Sequence, residues 1–178
     1  MNRLIALGLL ACAATSAAAH PTRHKSQSLI EKSARLGPGQ YVWEPKDAAT
    51  GPLFLVIDLS AQRALLYRND VAIAASKIST GSGGRETPTG VFTILQKEIV
   101  HRSRTYDDAP MPYMQRLTWK GVAMHAGHLP GYRASHGCIR MPWAFAKLLF
   151  GVTRLGTPVT IIDGESGPGS SDDTRGQR

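Results

Sequence analysis

The sequence predicts a mainly β fold with one or two short helices. The 178 residues include 18 Gly and 11 Pro, a turn-rich composition that suits short strands better than long helices. The apolar residues fall in short, β-branched runs bounded by Gly, Pro or Ser, as buried strands do. At 42% hydrophobic residues, a chain of this length buries one respectable core, so a single catalytic domain is expected.

The first nineteen residues read as a signal peptide. Arg3 gives a positive start, residues 4–14 are apolar, and Ala17-Ala18-Ala19 supplies small residues of the A-x-A kind before His20. The apolar run is shorter than the roughly 20 residues a bilayer requires, and no other stretch approaches that length, so no transmembrane helix is expected. Leu9-Leu10-Ala11-Cys12 also resembles a bacterial lipoprotein processing site, which would make Cys12 a lipidated first residue. Both readings export the domain with Cys138 as its single unpaired cysteine, buried and inert or else reactive.

Residues 20–50 are mixed and polar, weakly helical over 25–35 and broken by Gly37-Pro38-Gly39, and are expected to form an N-terminal extension. The catalytic domain is placed at 51–163. Residues 53–59 form an apolar run bounded by Gly51-Pro52 and Ser60, a buried strand. Residues 63–67 and 71–75 flank Arg68-Asn69-Asp70, which predicts a hairpin. The Gly- and Pro-rich stretch 79–90 reads as a loop ahead of a strand over 91–95. It lacks G-x-x-x-x-G-K-[ST], and no helix follows to offer its N-terminus to an anion, so a phosphate loop is discounted. Residues 97–110 are expected as a long exposed loop, 111–118 as extended, Lys120-Gly121 as a turn and 122–125 as a strand that ends at His125. Pro142 and Gly151 punctuate a helix between them, 159–162 form the last strand, and 164–178 are expected as a disordered tail.

The net charge of +8 favours an anionic partner. Because the basic residues are scattered, a nucleic-acid-binding footprint is missing and no nucleic-acid partner is expected.

The chemistry concentrates in residues 124–142, which hold His125, His128, Ser135, His136 and Cys138 among glycines. A thiol attacks as the thiolate, and a nearby imidazole takes or holds its proton. His136 shares a face with Cys138 if the segment is extended, while His125 must return across a loop that Gly127, Pro130 and Gly131 permit. Gly137 leaves room for a substrate carbonyl, and backbone N–H groups around Cys138 can form an oxyanion hole. The reaction implied is acyl transfer through a thioester. A lone cysteine is commonly a core residue, but this clustering favours catalysis. A zinc site formed by His125, His128, His136 and Cys138 is the competing reading. Its spacing matches neither H-E-x-x-H nor C-x-x-C, and no acid lies between residues 124 and 142, so no metal is assigned.

Ser135-His136-Gly137-Cys138-Ile139-Arg140-Met141, with Met124-His125-Ala126-Gly127 upstream, resembles the active-site signature of the L,D-transpeptidase catalytic domain, also called the YkuD domain. Thr87-Pro88-Thr89-Gly90-Val91-Phe92 is similar to that family's loop and strand ahead of the site. The resemblance covers about residues 53–163.

It implies a β-sandwich-like fold with mixed sheets and a peptidoglycan-modifying enzyme of the bacterial periplasm or cell envelope. The cysteine would attack the L-centre carbonyl of the diamino acid at position three of a tetrapeptide stem, expelling D-alanine. A neighbouring stem amine would resolve the thioester into a 3→3 cross-link, or an envelope protein would accept the acyl group. By position, Cys138 would be the nucleophile and His125 the general base. His136 and Gly137 would shape the oxyanion hole, and Ser135 would support it. No cofactor is implied. Arg140, which stands where many members carry asparagine, would bind a substrate carboxylate or pair with an acid such as Asp163. Tyr113 and Trp143 are candidate cleft residues, and His128 is expected to have no direct role. Three alternatives stay open: an L,D-carboxypeptidase using the same thioester, a zinc-dependent envelope hydrolase and a non-catalytic wall-binding module.

Overall fold

The computed structural model describes residues 21–47 and 50–164. The expected signal peptide with Cys12, and the expected tail beyond Gly164, lie outside the described residues. The first sheet grows from the predicted hairpin. β3 (Arg63–Arg68) pairs antiparallel with β2 (Leu53–Asp58) on one side and with β4 (Val71–Lys77) on the other. Asn69 turns the chain between β3 and β4 at φ 52°, a conformation its short polar side chain tolerates. β10 (Pro158–Ile162) lies parallel to β2, and β5 (Gly90–Thr93) closes that edge antiparallel to β10.

At the opposite edge, residues of the expected N-terminal extension join the same sheet. β1 (Tyr41–Trp43) pairs with β4, giving the order β1-β4-β3-β2-β10-β5. Helix α1 (Pro21–Ala34) covers the sheet, packing Leu29 against Leu65, Ala72 and Ala75. The physical reason is that β3 and β4 are apolar on both faces, so a single covering layer would leave Leu65 and Ala75 in water. Where the β3–β4 register shifts at Leu66/Tyr67, the Ala72 N–H donates to Ser26 Oγ on the helix at 3.0 Å.

The second sheet has the order β6-β7-β8-β9, with β6 (Gln96–Glu98), β7 (Met114–Arg116) and β8 (Ala123–Ala126) antiparallel and β9 (Ile139–Met141) parallel to β8. The loop expected over 97–110 therefore starts inside a strand. Helix α2 (Trp143–Val152) begins after Pro142 as predicted, but Gly151 lies inside its last turn and Thr153 caps it. Its buried Phe145 meets the Tyr41 and Trp43 rings, both at 5.8 Å between centroids. The core joins Leu55, Ile57, Leu66 and Ile73 of the first sheet to Met124, Ala126, Ile139 and Met141 of the second. The outer face of the second sheet is left to form a cleft.

Candidate active site

Side-chain alternation explains which residues face that cleft. Met124 and Ile139 are register partners, as are Ala126 and Met141, and all four point into the core. Their neighbours in sequence must project to the opposite face. His125 pairs with Arg140 there. Gln96, Arg116 and Ala123 form one cross-strand row, and continuing the β8–β9 register by one residue puts Cys138 at the end of that row. Cys138 packs on the floor formed by Met111, Met114 and Ala123. The sheet thus presents Cys138, His125, Arg140 and Arg116 on a single face, and β9, the short strand that the sequence does not announce, creates this arrangement.

The segment bearing Cys138 is tied down on its other side by residues 79–87. Arg140 exchanges two backbone hydrogen bonds with Ser79 at 2.8 and 3.0 Å, and the Ser135 N–H reaches Thr80 O at 3.0 Å. Thr87 Oγ1 accepts from the Gly81 N–H at 3.0 Å and donates to Gly137 O at 2.9 Å. A Cβ built on Gly81 would stand 2.2 Å from Arg85 O and 2.8 Å from Gly137 Cα. The glycine-rich loop therefore serves close backbone packing behind Cys138, a role that sequence reading did not assign. Its signal in the sequence is glycine density without a phosphate-loop pattern. Gly137 is required for a different reason: its φ of +108° lies in a region that L side chains avoid.

Ser135 is buried at 2% exposure. Its Oγ donates to Cys138 O and accepts from the Gly137 N–H at 3.2 Å. Ser135 Oγ thus bridges Gly137 and Cys138, and the Gly137 N–H is engaged by it. His136 faces the wall of the cleft. That ring is exposed and stacks on Tyr106, with centroids 4.4 Å apart and planes at 16°, so it joins the nucleophile loop to the cleft wall.

His125 is 7% exposed. Its Nδ1 lies 2.8 Å from Ala126 O. A carbonyl accepts only, so Nδ1 carries the proton and Nε2 is the free acceptor of the neutral ring. Burial, assisted by the charges of Arg140 and His101 and opposed by the Ala126 hydrogen bond, lowers the His125 pKa to about 4. Burial raises the Cys138 thiol above its ordinary value, against the lowering effects of the Ala123 backbone, Arg140 and Arg116. Desolvation thus disfavours an imidazolium–thiolate pair at rest. The thiol donates to Gly121 O at 3.5 Å.

The cleft encloses about 1460 Å³. Its lining includes Trp119, exposed by 74%, and Trp143, exposed by 59%. Tyr113 does not line it: the ring packs edge-on against Trp143 and Phe150, and the backbone turns there at φ 56°. Arg140 lines the cleft, but Asp163 pairs with Arg133 at 2.9 Å rather than with Arg140. His128 is an exposed lining residue. Among the described residues, no group of three or more His, Cys, Asp or Glu is arranged to hold a metal ion.

The family model of the L,D-transpeptidase catalytic domain matches residues 52–161, more than half of the chain. No curated protein matches. Among solved structures, an L,D-transpeptidase from Mycobacterium smegmatis is 26% identical, with a TM-score of 0.56, 62% of this chain and 58% of that chain being covered. An L,D-transpeptidase solved in complex with imipenem is 28% identical over 62% of this chain and 58% of that one, with a TM-score of 0.56. One from Stackebrandtia nassauensis, covering 84% of this chain and 70% of that one, has a TM-score of 0.61 at 22% identity, a likeness of fold. This chain therefore spans 58% of the length of the M. smegmatis protein. A β fold with two mixed sheets, together with a family match that contains both His125 and Cys138, makes this chain a member of the L,D-transpeptidase catalytic domain family.

Proposed function

We propose that the protein is an exported L,D-transpeptidase of peptidoglycan in which Cys138 is the nucleophile and His125 the general base. The observation that carries this reading is the shared outer face of β8 and β9, which puts a thiol diagonally across from a neutral imidazole with a free Nε2. Cys138 Sγ attacks the L-centre carbonyl of the diamino acid at position three of a tetrapeptide stem. The Sγ–C bond forms, the C–N bond to D-alanine breaks, and the thiol proton passes through His125 Nε2 to the departing amine. A low imidazole pKa suits the second half of that transfer, because the transient imidazolium gives up its proton readily. An acceptor amine from a neighbouring stem or an envelope protein then attacks the thioester and returns a proton to sulfur through His125.

Ser135 holds the nucleophile loop through Gly137 and Cys138. With the Gly137 N–H so engaged, the Cys138 N–H is the loop's donor to the developing oxyanion. Cys138→Ala is expected to give no detectable product from disaccharide-tetrapeptides when the reaction is followed by mass spectrometry. Product formation by that variant at the wild-type rate would refute the reading. The same spectra distinguish cross-linked dimers from released tripeptide, the outcome if water is the acceptor.

A further inference from the structure

We propose that Arg140, assisted from across the cleft by Arg116, recognises a free carboxylate next to the scissile carbonyl and so selects donor stems that are not amidated there. The inference rests on the transpeptidase reading. Arg140 lies two residues beyond Cys138 on the same face, an offset of about 6.6 Å along a strand. Its backbone is fixed by both hydrogen bonds to Ser79. Its stem runs over Gly127, where a Cβ would come within 3.2 Å of Arg140 Cγ and 3.3 Å of Cδ. A larger residue at 127 would press on that stem and shift it by a few tenths of an ångström.

The guanidinium has no counter-ion within ion-pair distance among the described residues, and neither has that of Arg116. Glu98, the one acidic residue lining the cleft among those described, lies 2.6 Å from His101 Nδ1. Arg116 lines the cleft, donates Nε–H to Gln96 Oε1 at 2.7 Å, extends beside the Trp119 ring at 6.0 Å, and its charge adds to the lowering of the Glu98 pKa. A guanidinium stays charged at any working pH and pairs bidentately with planar carboxylates. The Ala123 methyl between Arg116 and Cys138 leaves space for a ligand.

The two residues that flank the scissile bond of a tetrapeptide stem each carry one free carboxylate. One is the C-terminus of the departing D-alanine and the other sits on the D-centre of the diamino acid. Both offer the same chemistry, so the test uses three donors: the free diacid, the C-terminal amide and the D-centre amide. Thioester formation is followed by acid quench and intact-protein mass. Wild-type protein is expected to react about 10–100-fold slower with one of the two amides than with the diacid, the loss expected for one charge-assisted pair. Arg140→Met is expected to slow the diacid by a similar factor and to change the rate for that amide by less than about threefold, while Arg140→Lys restores part of the preference through its point charge.

Equal wild-type rates for all three donors would overturn the proposal whatever the fate of the variants. So would an Arg140→Met protein slowed alike on diacid and amides, the mark of a purely structural role. If wild-type protein forms no thioester with any donor, the transpeptidase reading falls and takes the proposal with it.

Discussion

His125→Gln is expected to slow acylation of Cys138 by about 10²–10⁴-fold, the usual contribution of a positioned general base. Glutamine approximates the length of the ring, and its amide can still face Ala126 O, but it cannot accept and pass on a proton. His128→Gln, at an exposed position of the same cleft, is the matched control and is expected to stay within about threefold, as substitutions away from the reacting groups do. Both variants are compared with a disaccharide-tetrapeptide donor, with thioester formation read by acid quench and intact mass.

The pH profile tests the same residue with a defined sign. A His125 pKa held at about 4 keeps the ring neutral and competent at pH 5, where an ordinary imidazole with pKa near 6.5 would be almost wholly protonated. The acid limb of acylation should therefore fall near pH 4. Because Arg140 contributes to the lowering, Arg140→Met should move that limb upward. A wild-type limb centred near pH 6.5 would show that His125 is not the base or is not desolvated.

Gly81→Ala is the second substitution expected to have a large effect, although it lies 57 residues from Cys138 in sequence. The new methyl would meet Arg85 O at 2.2 Å and Gly137 Cα at 2.8 Å. Both neighbours are backbone, so relief requires the nucleophile loop to move. A displacement of about 1 Å at a reacting group costs on the order of 10² in rate, and overpacking of this kind costs about 1–3 kcal/mol in stability. Gly83, at φ +64° with open space around its Cβ direction, provides the contrast. Gly83→Ala should cost about 1 kcal/mol through backbone strain alone and leave acylation nearly unchanged. Melting curves and acylation rates for the two variants separate the cases.

These examples mark where the sequence is informative. The β2 run, the β3–β4 hairpin, the last strand and the start of α2 are legible because each is specified by local alternation or punctuation within a few residues. β9 is not legible. Three residues are too few for a period to show, and the strand exists because Arg140 bonds to Ser79 on one side while β9 pairs with β8 on the other. The edge strand β1 is missed and α1 is read only as weakly helical for a related reason: three residues show no period and the helix is largely polar, while the demand for both comes from β4, which pairs with one and is covered by the other.

Within the site, Cys138 and His125 stand out by residue type and motif. Their placement on one face, the choice of Arg133 over Arg140 as the partner of Asp163, and the Thr87–Gly137 bond across 50 residues depend on register and loop closure. Tyr113 illustrates the converse. An aromatic near the motif looks like a cleft residue, yet its ring is taken by Trp143 and Phe150.

The most direct measurement of the central claim is the mass of the protein quenched in acid during reaction with a disaccharide-tetrapeptide, followed by peptide mapping. The predicted adduct is the donor less D-alanine, carried as a thioester on the peptide that contains Cys138 and absent from Cys138→Ala. Turnover without any such adduct, or an adduct mapped to another residue, would contradict the assignment of Cys138 as the nucleophile.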